Sequence, residues 1–139
     1  MWGLLVRLLA VIGVLASAAV TASAFVPGAA RLPEWLAQTA LVVAMVLFAA
    51  MLVREHGGFP DRRAQREIWT AWWKTLPVWV RPLVYAISCG CSALAVYAFF
   101  TSTHLTGEQF IGFTGPIALG ANVNVLAFAF ARRREAPAA

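Results

Sequence analysis

The sequence predicts an all-α fold: a four-helix transmembrane bundle with an interfacial amphipathic helix between its second and third spans. Three observations predict it. First, of 139 residues 61% are hydrophobic and only 12% charged, against about 45–50% apolar and about 25% charged in a soluble domain. A chain this apolar has too little polar surface to cover a water-facing globule. Second, the apolar residues gather into four runs of helix-spanning length. Third, the basic residues are segregated into the segments that share one side of a four-span arrangement.

A helix needs about 20 apolar residues to cross roughly 30 Å of hydrocarbon. The first run, Leu4 to Phe25, meets that length with a single charge, Arg7, near enough to the end to snorkel to the headgroups. Ala22-Ser23-Ala24 within it reads as a small-residue cleavage signal, so removal as a signal peptide is an alternative. Its length, and the recurrence of Gly13, Ser17 and Thr21 every four positions, favour retention as a packing helix. The second span is Leu36 to Val53. The third, Leu83 to Phe100, follows Pro82. The fourth, Phe110 to Ala131, contains Gly112, Gly115, Pro116 and Gly120. Pro116 suits the first turn of a helix, where its missing N–H costs nothing, which makes 111–115 a lead-in at the outer interface. The chain reads as one membrane domain over 1–139, with 136–139 expected to be disordered.

Between the second and third spans the pattern changes. Asp61 is a candidate N-cap for a helix over 62–76. Ile68, Trp69, Trp72, Trp73 and Leu76 fall on one face, and Arg62, Arg63, Arg66 and Lys74 mainly on the others. An aromatic face opposite a basic one suits a helix lying in the headgroup layer, and Trp79 and Arg81 extend this belt to the start of the third span.

Charge placement sets the orientation. Arg7, the loop from Arg54 to Arg81 and the tail Arg132, Arg133 and Arg134 hold ten of the eleven Lys and Arg residues; Arg31 is the exception. By the positive-inside rule both ends and the long central loop are expected in the cytoplasm, in a multi-pass protein of a bacterial-type inner membrane. The lipid bilayer is the partner this implies. The net charge of +5 therefore speaks for membrane orientation rather than for nucleic acid.

No catalytic set is recognisable. There is no phosphate loop, no paired carboxylates and no Ser/His/Asp constellation, and no Asp or Glu lies within a span. Cys89 and Cys91 are the only cysteines, and thiolates favour soft metal ions, so they are the candidate metal ligands. An i, i+2 pair on a helix diverges, however, and Cys also packs as a small apolar residue. His56 and His104 fall at opposite membrane faces, and the spacing of His104 with Glu108 is a poor metal signature in a polar loop. No cofactor is predicted. Gly13, Ser17, Gly90 and Gly120 are candidates for close helix packing or partner contact. So are Asn122 and Asn124, because a buried amide in lipid must find a hydrogen-bond partner. Their spacing puts them on different faces, which leaves one free to meet a second subunit.

Trp69 through Phe130, with Pro77-x-Trp79-x-Arg81 entering one span and Gly112-Phe113-Thr114-Gly115 entering the next, resembles a group of small, uncharacterised bacterial membrane proteins. In that group His-Trp follows the second motif, where this chain has Pro116-Ile117. The resemblance implies a multi-span membrane fold and no chemistry. The expected function is that of an accessory or interaction protein without catalytic activity, binding another membrane protein or a second copy of itself. The alternative is an oligomeric transporter for a small solute or soft metal ion.

Overall fold

A computed structural model describes residues 1–28, 30, 32–101 and 107–131, apart from the side chains of 34, 107–113 and 131. Five helices account for nearly all of them: α1 (Trp2–Phe25), α2 (Glu34–His56), α3 (Arg62–Thr75), α4 (Val80–Thr101) and α5 (Gly107–Ala131), with no strand among the described residues. Arg31, His104 and the tail Arg132, Arg133, Arg134 and 136–139 lie outside the described residues.

Among the described residues three helical segments are long and apolar enough to cross a membrane: Trp2–Phe25, Trp35–His56 and Val80–Thr101. Each exceeds the span expected for it by a few residues. α2 continues to His56 because Gly57 closes it in the left-handed region at φ 77°, where a residue without Cβ meets no steric cost. α4 takes Pro82 into its first turn instead of starting after it.

The fifth helix departs from expectation. α5 starts at Gly107, so Pro116 stands inside it, fully buried, and does not open it. α5 runs through Pro116 although the ring withholds the donor that the carbonyl of Gly112 would receive in a regular helix. In a membrane helix such a freed carbonyl is tolerated where neighbouring groups can satisfy it.

α5 is also the centre of the fold. It packs along α1, α2 and α4, and α1 packs on α2 as well. α4 leans on α5 and makes no comparable contact with α1, α2 or α3. The architecture is therefore a three-helix core of α1, α2 and α5 with α4 as an outrigger, rather than a closed four-helix bundle.

The contacts fix the directions. Arg7 near the start of α1 reaches Ala129 near the end of α5, so these two run antiparallel. α2 runs parallel to α5, since Ala40 meets Asn122 and Phe48 flanks Phe128 through the α3 tryptophans. Ser88 and Cys91 of α4 face Asn124 and Gly120 in reverse order. The start of α1, the end of α2, α3, the start of α4 and the end of α5 thus share one end of the molecule.

α3 closes that end. The Asp61 side chain accepts a hydrogen bond from Ala64 N at 2.7 Å, the N-cap its sequence predicts. A lost Asp cap typically costs about 1 kcal/mol. Asp61→Ala is therefore expected to raise hydrogen exchange through the first turn of α3, by about fivefold, with no change in α1, α2 or α5. Uniform protection in the variant would count against the cap.

Candidate functional site

Two polar seams run along α5, and each begins with an asparagine. Asn122 is completely buried. Its Nδ2 lies 2.8 Å from Ala118 O, 3.1 Å from Ala40 O and 3.3 Å from Ser17 Oγ. One amide thereby ties α5 to both α1 and α2. Two of the three acceptors are carbonyls, which settles the amide orientation: an oxygen in the Nδ2 position would face two other oxygens. Its Oδ1 has no donor and lies against Gly13 of α1. A Cβ built on Gly13 would stand 2.7 Å from Asn122 Cγ and overlap Oδ1 outright. The Gly13 Cα hydrogen points at Oδ1 instead, the weak C–H···O contact found where helices approach closely. Further along the same face, a Cβ on Gly115 would come within 3.0 Å of Thr21 Oγ1. The stripe Gly13-Ser17-Thr21 is thus the surface that receives α5. Ser17 and Thr21 donate their hydroxyls to the carbonyls of Gly13 and Ser17, so the stripe leaves no donor unpaired.

Asn124 faces the other way. Its Nδ2 donates to Ser88 Oγ at 2.9 Å and to Gly120 O at 2.8 Å, joining α5 to α4. The expectation that one asparagine is left for another subunit is corrected: both amides bond within the chain. Gly120 is buried beside Cys91, whose Cβ would lie 3.4 Å from an added methyl, and it too belongs to the α4–α5 seam. Of the glycines and polar groups singled out for packing, only Gly90 faces outward, with open space where a Cβ would be.

The cysteines diverge, Cys91 buried against α5 and Cys89 exposed. Among the described residues no three His, Cys, Asp or Glu side chains gather as a metal site would require. His56 is exposed in the last turn of α2.

The belt of charged and aromatic residues divides into three roles. Arg62, Arg63, Arg66 and Lys74 are exposed, and Arg63 pairs with Glu67 at 3.1 Å. Trp79 is exposed at the start of α4, and Trp69 and Trp73 are only partly covered. Trp72 and Leu76, expected at the lipid interface, are instead buried in the protein core. Trp72 packs between Phe48 of α2 and Phe128 of α5, with ring centroids 6.0 and 5.4 Å away. Trp72 and Leu76 meet the other helices there, while Trp69 and Trp73 on the same face stay partly exposed.

Two arginines read as anchors are helix caps. Arg81 donates to the carbonyls of Leu76 and Lys74 at 3.0 and 2.6 Å, satisfying groups that the end of α3 leaves without amide partners. Arg7 donates to Ala129 O at 3.2 Å and stacks over Phe130 at 5.0 Å. No sequence signal marks these roles, because the carbonyls are identifiable only once the helix ends are known.

Two clefts flank the α4–α5 pair. One, of about 540 Å³, is lined by apolar residues including Leu83, Val84, Val123 and Phe130. The other, of about 650 Å³, lies between α3, α4 and α5 and has Lys74, Tyr85, Ser88 and Asn124 in its walls. Comparison of the chain with protein-family models, with curated proteins and with solved structures yields no match.

Proposed function

We propose that this chain is a four-span protein of a bacterial-type inner membrane, with both ends and α3 on the cytoplasmic side, acting as a non-catalytic accessory subunit that binds another membrane protein through α4. The observation that carries the reading is the one-sided cover of α4. It is long and apolar enough to span, yet among the described residues its packing falls almost wholly on α5, with Arg81 at its start reaching α3. On its open side Ala86, Cys89, Gly90 and Ala93 are exposed along one face, the small residues that let a second membrane helix approach closely.

The position of α5 supports the fourth span. At 25 residues it is about 37 Å long at 1.5 Å per residue, and a helix enclosed by three spanning helices shares their depth. Arg7, Arg54 and α3 gather at one end, which supports the cytoplasmic assignment. Because α1 contributes Gly13 and Ser17 to the seam around Asn122, retention of the first segment is favoured over its removal.

The test is co-purification of the tagged chain from its native membranes in mild detergent, with mass spectrometry of the accompanying proteins. A stoichiometric partner is expected, lost in Gly90→Leu while the variant still inserts and melts as the parent does. Gly120→Leu is not a substitute, because it forces α4 off α5 within the chain. A chain that emerges alone refutes the accessory reading, and uptake of a soft metal ion dependent on Cys89 would then favour the transporter.

A further inference from the structure

We propose that the cleft between α3, α4 and α5 binds the headgroup of one anionic glycerophospholipid. The inference rests on the membrane reading above but not on the accessory role. α3 packs mainly on α2 and α5, and α4 mainly on α5; Arg81 joins the two at their near ends, and a cleft of about 650 Å³ lies between them. At the depth of the ester and upper acyl layer this largely apolar space, with Lys74, Tyr85, Ser88 and Asn124 in its walls, suits an amphiphile whose polar part bonds those groups.

The inventory of those groups defines the occupant. Asn124 spends both N–H groups on Ser88 Oγ and Gly120 O. Ser88 accepts that bond and keeps its own hydroxyl proton to donate. Thr70 donates to Arg66 O at 2.8 Å. The Tyr85 hydroxyl and the Lys74 ammonium bond no described residue, and neither Lys74 nor any other lining residue has a carboxylate beside it in the walls. The nearest acid along α3, Glu67, is engaged by Arg63.

Depth orders these donors. α4 begins at Val80, which puts Tyr85 and Ser88 about 8 and 12 Å below its start at 1.5 Å per residue. The interfacial layer is roughly 5–8 Å thick. Lys74 is thus a charged donor at the rim, and Tyr85 and Ser88 are neutral donors at and below the hydrocarbon boundary, between the aromatic walls of Trp69 and Trp73.

A phosphodiester above ester carbonyls and acyl chains matches this sequence of groups. A zwitterionic choline lipid matches it less well, because its ammonium would sit beside Lys74 with no acid to receive it. Basic pockets beside membrane helices recognise anionic headgroups on the same principle. The flanking 540 Å³ cleft has no charged lining residue and offers no such preference.

The test uses the full chain in mild detergent, incubated with equal amounts of phosphatidylglycerol and phosphatidylcholine of identical acyl chains and examined by native mass spectrometry. One retained phosphatidylglycerol per chain is expected. Lys74→Gln is expected to reduce the preference about fivefold, the factor equivalent to about 1 kcal/mol per surface cation. Arg62→Gln, which removes the same charge twelve residues along α3 and about 18 Å away, should leave it unchanged. Both side chains are exposed, so neither substitution disturbs packing. Equal retention of the two lipids by the parent chain, or equal loss in the two variants, overturns the proposal. Extraction of the chain by alkaline carbonate overturns it together with the membrane reading. A phosphatidylglycerol preference in a chain that co-purifies with no protein sustains it while the accessory role fails.

Discussion

Gly13→Ala is expected to disrupt the fold more than removing the asparagine it faces. The added methyl would overlap Asn122 Oδ1 and lie 2.7 Å from Cγ. Asn122 cannot retreat, because its Nδ2 is held from three sides by Ala118, Ala40 and Ser17. Relief therefore requires either that α1 move off α5 or that the amide abandon its bonds to two neighbouring helices. Overpacking of this kind costs about 1–3 kcal/mol or more, and the forfeited interhelical bonds add roughly 0.6–2 kcal/mol. Asn122→Ala loses the bonds alone, and it also removes an oxygen that is buried without a donor, a group expensive to leave unsatisfied. Its loss is therefore expected to be the smaller. The double variant Gly13→Ala/Asn122→Ala should recover part of the stability lost in Gly13→Ala, because the methyl then occupies space that the amide has vacated. Thermal melting in detergent across the four proteins measures this coupling. Losses that simply add would mean that Gly13 and Asn122 are not in contact.

The legibility of these features from the sequence follows the range of the interaction behind each. Periodicity along one helix is local, so the recurrence of Gly13, Ser17 and Thr21, the cap at Asp61 and the two-faced character of α3 could all be read directly. The same periodicity states that Asn122 and Asn124 point apart, but not what each meets. Which helix stands opposite depends on how α5 is surrounded. Its central position is decided by the summed packing of α1, α2 and α4, a property of the whole chain. Pro116 shows a local rule outvoted by its surroundings. Arg7 and Arg81 show another kind of limit. A cation near a span end looks alike in sequence whether it meets a headgroup or a helix carbonyl, and only the location of Ala129, Leu76 and Lys74 tells the two apart. The open side of α4 is hidden for a related reason, since no pattern within one helix records how many neighbours it lacks.

Trp72→Ala is expected to release α3 from the rest of the fold. Amphipathicity alone treats Trp69, Trp72 and Trp73 as equivalent members of a lipid-facing belt. The structure separates them, because Trp72 is only 3% exposed while Trp69 is 38% exposed. α3 packs mainly on α2 and α5, and Trp72 contacts Phe48 and Phe128 on those two helices. Truncating a buried Trp costs about 3–5 kcal/mol. Here the loss falls on a peripheral helix, so it is expected to appear as local opening rather than global unfolding. Hydrogen exchange should rise across 62–75 while α1, α2 and α5 remain protected. Trp72→Phe keeps an aromatic ring and discards an indole N–H that is buried without an acceptor, so it should leave α3 docked. Trp69 also meets Phe48 and Phe128, at 5.6 and 4.8 Å, but it is 38% exposed, so Trp69→Ala should cost less than Trp72→Ala, and Trp73→Ala less again. A Trp73→Ala effect equal to that of Trp72→Ala would mean that lipid, not Phe48 and Phe128, holds α3 in place. The same series bears on the headgroup cleft. Trp69, Trp73 and Lys74 form one of its walls only while Trp72 holds their helix down, so phosphatidylglycerol retention should fall in Trp72→Ala and survive in Trp72→Phe.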